Sequence, residues 1–253
     1  MASNLFSDAE NDLEVFAGKR LPILLCLDTS GSMGHYIGSS STKTKIEALN
    51  EGLHDFYRKL QEDEITRYTA EVAIVTFGGN RSTGKPIDVK KVCDFSRVEI
   101  QQNPPVLTAY GYTPIGEAIN LGLALLEKRK KQYKAYGNTY YRPWIVIMSD
   151  GYPDGGSKTE LETAKATIRE YSLKKKVVPI SVAIGRQNND TRKLLSELGN
   201  GLVIPMDINK FPEFFVWLHN SVSSSVEQGV DTIIEQLLRN AKTWSDEDFF
   251  RNI

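Results

Sequence analysis

The sequence predicts an α/β protein with a doubly wound, mostly parallel central sheet of about six strands, one of them an antiparallel edge strand, and helices on both faces. Short, almost continuously apolar segments, typical of strands buried on both faces, alternate along the chain with segments of helical periodicity. Strands that alternate with helices form parallel sheets, and right-handed crossovers place the helices on both faces. One pair of strands is separated by too few residues for a crossover, which predicts a hairpin at the sheet edge.

The first half of the chain opens with its clearest strand. The segment LPILLCLD is apolar up to its closing aspartate and leads into a loop rich in glycine and serine. Apolar residues at helical spacing then predict a helix, and two further apolar runs predict strands. The predicted elements are a strand at 21–28, a helix at 46–60 and strands at 71–78 and 87–95.

The turn between the last two of these strands, residues 79–85, fits most of the phosphate-binding pattern G-x-x-x-x-G-K. Pro86 stands where that pattern needs the Ser or Thr that binds Mg²⁺, and a strand follows where the phosphate cradle needs the start of a helix. We therefore interpret this segment as a hairpin turn.

The second half of the chain repeats the alternation of helix and strand. Pro114 suits the first turn of a helix, which an apolar stripe then extends. The predicted helices lie at 115–133, 158–175, 191–198 and 211–225, the predicted strands lie at 142–150, 177–185 and 202–207, and one further helix with an aromatic end is predicted within 226–253. The resulting division of the chain is an N-terminal arm at 1–19, one domain at 20–226 and a C-terminal helical tail at 227–253.

Composition and charge argue against several classes of function. The chain has 31 Lys and Arg against 32 Asp and Glu, a net charge of −1, which provides no general field for nucleic acid or an anionic membrane. No apolar run approaches the ~18 residues of a membrane span, and the N-terminal residues lack the pattern of a signal peptide. We expect a cytoplasmic protein without nucleic-acid or membrane partners.

Two local features have alternative interpretations. Cys26 and Cys93 lie in apolar, strand-like surroundings, which predicts buried free thiols. A disulfide between them stays an alternative, because the sequence does not give the distance between the two residues. The basic run at 128–134 ends a predicted helix, where cations complement the helix dipole, so we interpret it as a solvated face. Nucleic-acid contact is the less favoured alternative, because no groove with interleaved aromatic residues accompanies the run.

Polar residues follow two predicted strands and precede a predicted helix, and they form a candidate metal site. In doubly wound sheets, ligands bind at the carboxyl ends of the strands. The residues offer two carboxylates and three hydroxyls, and such hard oxygen ligands favour Mg²⁺, with Mn²⁺ or Ca²⁺ as alternatives. Each residue type alone is also common at strand ends and helix caps, so the prediction depends on their combination. The candidate residues are Asp28, Ser30, Ser32, Thr113 and Asp150.

This pattern resembles the metal-ion-dependent adhesion site (MIDAS) of von Willebrand factor A (VWA) domains. The segments LPILLCLDTSGSM, GYTPIGEAI and IVIMSDG carry the resemblance, which covers roughly residues 20–225. It implies a Rossmann-like VWA fold that binds protein partners through a divalent ion and is not an enzyme. The hydroxyls of Ser30, Ser32 and Thr113 would bind the ion, while Asp28 and Asp150 would hold metal-bound waters or bind it directly. An open coordination position would take an Asp or Glu carboxylate of the partner.

The chain also resembles bacterial tellurite-resistance proteins of the TerY type, which have a lone VWA domain, a short N-terminal arm and a serine-rich helix like VSSSV at 222–226. This narrower resemblance implies a cytoplasmic adaptor or scaffold in bacterial stress response. The implied partners are a PP2C-type protein phosphatase and a protein kinase.

Two other functions stay open. A Mg²⁺-dependent phosphoryl-transfer or hydrolytic enzyme could use the same ion, but the sequence offers no obvious general base beyond the carboxylates already assigned. Alternatively, the metal loop is vestigial and the tail at 227–253 binds the partner.

The surroundings of the candidate site suggest where a partner would be recognised. Tyr36 and Ile37 lie in the long loop after the first strand, and with Tyr110 and Tyr112 they suggest a specificity rim, simple loop packing being the alternative. Asp154 is interpreted as a turn residue in preference to a rim residue.

Overall fold

The computed structural model describes residues 18–37, 41–185, 188–207, 210–229, 231–233 and 235–236. It contains one six-stranded sheet with strand order β3-β2-β1-β4-β5-β6. The strands are β1 (Leu21–Thr29), β2 (Ala70–Asn80), β3 (Lys85–Arg97), β4 (Trp144–Ser149), β5 (Val178–Ile184) and β6 (Val203–Met206). All neighbours pair in parallel except β2 and β3, so the prediction of a mostly parallel sheet with an antiparallel edge strand is confirmed.

The α-helices are α1 (Lys45–Glu62), α2 (Glu64–Thr69), α3 (Ile115–Ala135), α4 (Lys158–Leu173), α5 (Asn189–Leu198) and α6 (Phe211–Gln228). Apart from α2, they lie where the sequence predicts them. In the described ranges, none of them is both long and apolar enough to cross a membrane. The predicted arm at 1–19, and the helix and aromatic end predicted within 226–253, lie largely outside the described residues.

Helix α2 was not predicted because it is only six residues long and has no clear apolar period. Its start is set by Asp63, whose side chain accepts hydrogen bonds from the backbone N–H groups of Ile65 and Thr66 at 2.8 and 2.9 Å. A carboxylate at this position satisfies N–H groups that have no partner within the helix.

The central strand β1 is buried on both faces, so it contributes to two hydrophobic cores. Its odd-numbered residues, such as Ile23 and Leu25, pack in the core that includes Phe56 of α1 and Phe215 of α6. The intervening Leu24 and Cys26 belong to the core formed with α3, α4 and α5. Helices therefore cover both faces of the sheet, as predicted.

The start of α1 is fixed by a reciprocal cap. The side chain of Thr44 accepts from the backbone N–H of Glu47, and the Glu47 carboxylate accepts from the backbone N–H of Thr44 at 2.7 Å. Such a capping box satisfies two backbone donors and defines the first helical residue, here Lys45.

The turn and the thiols agree with the sequence interpretation. Strands β2 and β3 form a hairpin whose turn includes Gly84 at φ +68°, a conformation that glycine adopts without strain. Cys26 and Cys93 are both free and buried. Burial raises the pKa of Cys26 to about 12 and that of Cys93 to about 11, so both stay protonated at neutral pH.

The interpretation of residues 128–134 as a solvated face is wrong for Arg129 and Lys130, which are buried. At the amino ends of β1 and β2, the buried carboxylate of Glu71 accepts from Arg129 Nε at 2.7 Å and from the hydroxyl of Tyr133 at 2.6 Å. Arg20 Nε lies 3.6 Å from the other oxygen of the same carboxylate. The charge of Arg129 is therefore paired with Glu71 inside the fold, and Lys130 pairs with Glu127 of the same helix.

Candidate metal centre

Three loops converge at the carboxyl ends of the central strands. Strands β1 and β4 are adjacent and parallel, with Leu27 in register with Met148, so the residues after them leave the sheet side by side. This geometry brings the segment from Asp28 to Ser32 next to Ser149 and Asp150.

Asp28 is the buried anchor of the site, with no exposed surface. One carboxylate oxygen accepts from the backbone N–H of Ser30 at 2.8 Å. The other accepts from the hydroxyl of Ser149 at 2.6 Å. These bonds hold the carboxylate in one orientation at the end of β1.

A line of hydrogen bonds connects three more of the predicted residues. The hydroxyl of Ser32 donates to Asp150 Oδ1 at 2.6 Å, and its oxygen lies 2.9 Å from Ser30 Oγ. Because the Ser32 hydrogen is directed at Asp150, Ser30 is the donor in the serine pair. Both serine oxygens keep lone pairs, so they can accept a cation.

Thr113, the fifth predicted residue, is buried on a neighbouring loop that is fastened to the first one. The backbone N–H of Tyr110 donates to the carbonyl of Thr29, and the backbone N–H of Gly31 donates to the carbonyl of Gly111, both at 2.9 Å. The backbone of Thr113 also pairs with that of Asp154, whose side chain is exposed. The structure thus links the side chains of Ser30, Ser32 and Asp150 directly and joins Asp28 to the backbone of Ser30. It brings Thr113 to the same edge through its backbone.

The surroundings of Asp28 raise the pKa of its carboxyl group. Burial is the largest cause that raises its pKa, and the nearby carboxylate of Asp150 adds to it. The hydrogen bonds from Ser149 and Ser30 partly offset these effects, and the pKa of Asp28 lies at about 6. An added positive charge would stabilise the ionised form of Asp28, which would offset both its burial and its repulsion with Asp150.

Two residues of the site were missed from the sequence. Ser149 bonds to Asp28, and Lys45 Nζ forms an ion pair with Asp150 Oδ2 at 2.6 Å. Ser149 directly precedes Asp150 in the segment IVIMSDG but was not predicted as a site residue. Lys45 gave no signal, because a lysine at the start of a helix indicates nothing until the helix is placed beside β4.

The donor set fits a hard divalent cation. It consists of hydroxyl and carboxylate oxygens, the ligands that Mg²⁺, Mn²⁺ and Ca²⁺ prefer. Over the described ranges, no three His, Cys, Asp or Glu side chains cluster in a way that could hold a metal, so the candidate is a hydroxyl-rich site. One positive charge, the ammonium group of Lys45, already lies beside Asp150 at this edge.

The surface beside the site is aromatic. Tyr36, Tyr112 and Tyr152 are exposed, and Tyr110 is half-buried with the guanidinium of Arg81 5.4 Å from its ring centroid. Ile37 does not belong to this rim as suggested, because its side chain is buried in the core.

The comparison with known families agrees with this architecture. A family model described as the von Willebrand factor type A domain matches residues 23–153, just over half of the chain. The chain belongs to the VWA domain family. The match extends from β1 past Asp150, so it spans all five residues of the candidate site.

Solved structures show the same fold at low sequence identity. The vWF domain of the type V pili tip protein Mfa5 from Porphyromonas gingivalis has a TM-score of 0.57 at 9% identity, covering 82% of this chain and 96% of that one. The pilus adhesin SpaC from Lactobacillus rhamnosus GG has a TM-score of 0.56 at 14% identity, covering 81% of this chain. A VWA protein from Catenulispora acidiphila has a TM-score of 0.52 at 15% identity, also covering 81% of this chain. This chain spans 30% of the SpaC chain and 43% of the Catenulispora chain. No curated protein sequence matches the chain.

Proposed function

We propose that this VWA domain is a protein-binding module that holds a divalent ion at its MIDAS and uses it to bind an acidic residue of a partner. The hydroxyls of Ser30, Ser32 and Thr113 would bind the ion, with Asp28 and Asp150 holding it through water or directly. The ion would supply a positive centre for the partner's carboxylate. The proposal places this role in residues 20–226, with 1–19 as an arm and 227–253 as a tail.

The observation that carries the proposal is the hydrogen-bonded line Ser30–Ser32–Asp150 beside the buried Asp28. Neutral hydroxyls satisfy the geometry of a hard cation without fully neutralising it, which leaves the ion attractive to one more anionic oxygen. The exposed tyrosines next to the site give a partner apolar and hydrogen-bonding contacts around that oxygen.

The experiment measures Mg²⁺ and Mn²⁺ binding by calorimetry, and then binding of the partner with metal or with EDTA. Ser30→Ala removes one hydroxyl from the line and should weaken metal binding at least tenfold, the effect of losing a ligand or its support. Ser82→Ala is the matched control, because Ser82 lies in the exposed β2–β3 turn and bonds to Asn80. Partner binding that survives both EDTA and Ser30→Ala would contradict the proposal and favour the tail as the binding element.

The finer part of the proposal follows from the TerY-type resemblance. It assigns the chain to the cytoplasm of a bacterium, to tellurite or other stress resistance, and to a PP2C-type phosphatase and a protein kinase as partners. Co-purification with each candidate partner in Mg²⁺ and in EDTA tests this assignment. Metal-dependent hydrolysis of a phosphate ester that is lost in Asp150→Asn would instead support the enzyme alternative.

A further inference from the structure

Lys45 occupies a position that helix electrostatics disfavour. It is the first residue of α1, where the partial positive charge of the helix end repels a cation. The capping box of Thr44 and Glu47 fixes this position, and the backbone N–H of Lys45 donates to the carbonyl of His35 at 3.1 Å. The side chain is therefore held at the edge of the site by its backbone, and its charge must be offset by a contact elsewhere in the fold.

That contact is the carboxylate of Asp150, whose two oxygens have different partners. Oδ1 accepts from Ser32, while Oδ2 pairs with Lys45 Nζ at 2.6 Å. The side chain of Lys45 is 16% exposed and that of Asp150 1% exposed. A pair so withdrawn from water is weakly screened, in contrast to surface pairs, so its charge is felt throughout the site.

Charge counting shows what this contact changes. Among the described residues, the ionised carboxylates of Asp28 and Asp150 and the ammonium of Lys45 sum to one net negative charge. A divalent cation reverses this to one net positive charge, whereas without Lys45 the loaded site would be neutral. Like charges a few ångströms apart in a protein repel by an amount that corresponds to roughly tenfold in affinity or more.

We propose that Lys45 sets the charge of the MIDAS, weakening the binding of the divalent ion while strengthening the binding of an anionic ligand to the loaded site. This inference rests on the proposed function, since it assumes that the site binds a divalent ion. Lys45 is then a positioning residue. It holds the carboxylate of Asp150, and its charge repels the ion and attracts the anionic ligand.

The test compares Lys45→Met with the wild type by calorimetric titration of Mg²⁺ and Mn²⁺. Lys45→Met removes the charge at nearly constant length and should bind both ions about tenfold more tightly. Lys45→Arg keeps the charge and should stay within about twofold of the wild type. Lys43→Met is the matched control, because Lys43 forms an equally short 2.6 Å pair with Glu51 on the exposed surface.

A second measurement has the opposite sign. With Mn²⁺ saturating, the binding of acetate as a carboxylate probe is followed by the paramagnetic relaxation of its methyl protons. Acetate should bind several-fold more weakly to Lys45→Met than to the wild type. Tighter metal binding together with weaker acetate binding supports the proposal, because a merely structural role of Lys45 would move both affinities in the same direction.

The failures are distinguishable. Absence of Mg²⁺ and Mn²⁺ binding by the wild type contradicts the proposed function itself. Equal or weaker metal binding by Lys45→Met, with metal binding by the wild type intact, contradicts the role of Lys45 alone. Should Lys45→Met fail to fold by circular dichroism, Mn²⁺ is titrated into the wild-type chain with isotopically methylated lysines. The Lys45 resonance should then broaden before that of Lys43, and the reverse order would overturn the proposal.

Discussion

The two ends of the sheet both bury charged side chains, but they balance them differently. At the amino ends, one carboxylate, that of Glu71, lies between two guanidinium groups and also accepts from Tyr133. At the carboxyl ends, the two carboxylates of the candidate site lie near one ammonium group, that of Lys45, in the part of the chain that the structure describes.

The difference lies in whether the buried charges are balanced by groups of the chain itself. Burying a charge is costly unless it is paired and hydrogen-bonded. The lower cluster, formed by Glu71 with Arg20, Arg129 and Tyr133, pairs its one carboxylate with groups of the chain itself, through two hydrogen bonds and a further ion pair. The upper cluster, formed by Asp28, Asp150 and Lys45, has one more carboxylate than cation among the described residues. In the function proposed above, a cation from outside the chain completes its pairing.

The largest change in stability that would test this comparison is expected at the lower cluster. Glu71→Gln leaves two buried guanidinium groups without their carboxylate, and loss of one partner of a buried ion pair costs about 3–5 kcal/mol. Urea unfolding should show this loss equally with Mg²⁺ and with EDTA. Glu62→Gln, which breaks an exposed pair with Arg58, is the control and should change stability by less than about 1 kcal/mol. A loss below about 1 kcal/mol for Glu71→Gln would mean that the lower cluster contributes little to stability.

The next effect is expected at the upper cluster and has the opposite sign. In EDTA, the folded-state pKa of Asp28, about 6, exceeds its ordinary value of 3.8, so the native chain holds a proton that the unfolded chain has lost. The stabilisation that protonated Asp28 gives to the native state is thus fully present below pH about 4 and is lost as the pH rises through about 6. Asp28→Asn lacks this loss and should be more stable than the wild type at pH 7 by on the order of 2 kcal/mol.

Thermal unfolding in EDTA between pH 4 and pH 7.5 measures this difference, and metal titration of the same variant should show weaker binding. Asp55→Asn is the control, because Asp55 is a partly exposed residue of α1 that pairs with Arg58. If the wild type and Asp28→Asn show parallel pH profiles, the two ends of the sheet do not differ in the way described.

The smallest effect concerns Ser149, whose hydroxyl donates a hydrogen bond to the carboxylate of Asp28. Ser149→Ala removes a 2.6 Å hydrogen bond to the carboxylate, which should cost about 1 kcal/mol at pH 7 and raise the pKa of Asp28 further. The difference in stability between the variant and the wild type should shrink as Asp28 protonates at lower pH. Ser181→Ala is the control, since Ser181 is equally buried on β5 and its hydroxyl has no hydrogen-bond partner among the described residues. Equal effects of the two substitutions would show that Ser149 matters through packing alone.

Much of this architecture could be predicted because its signals are local. The apolar run of β1 and the periodicity of α1 and α3 identify those elements within a few residues of their ends. The serines and aspartates of the site lie at strand ends, where the topology of a doubly wound sheet brings them together. Their assignment as metal ligands stays a prediction.

What could not be predicted depends on distant side chains that meet only in the folded chain. Arg129 was interpreted as solvated because its partner, Glu71, lies 58 positions away. The contact of Lys45 with Asp150 spans 105 positions and leaves no periodicity in either segment. Helix α2 was missed for a different reason, since six residues are too short to show a pattern.

The fastening of the Thr113 loop has a kinetic consequence. Its backbone is bonded to the carbonyl of Thr29, to Gly31, to Gly79 of β2 and to Pro86 of β3. Moving a segment held by so many hydrogen bonds would break several of them at once. An arriving ion would therefore meet a preformed site. We therefore expect the association rate of Mg²⁺ to be limited by the slow loss of its own water ligands and not by a movement of the loop. Mn²⁺ should bind faster to the same preformed site.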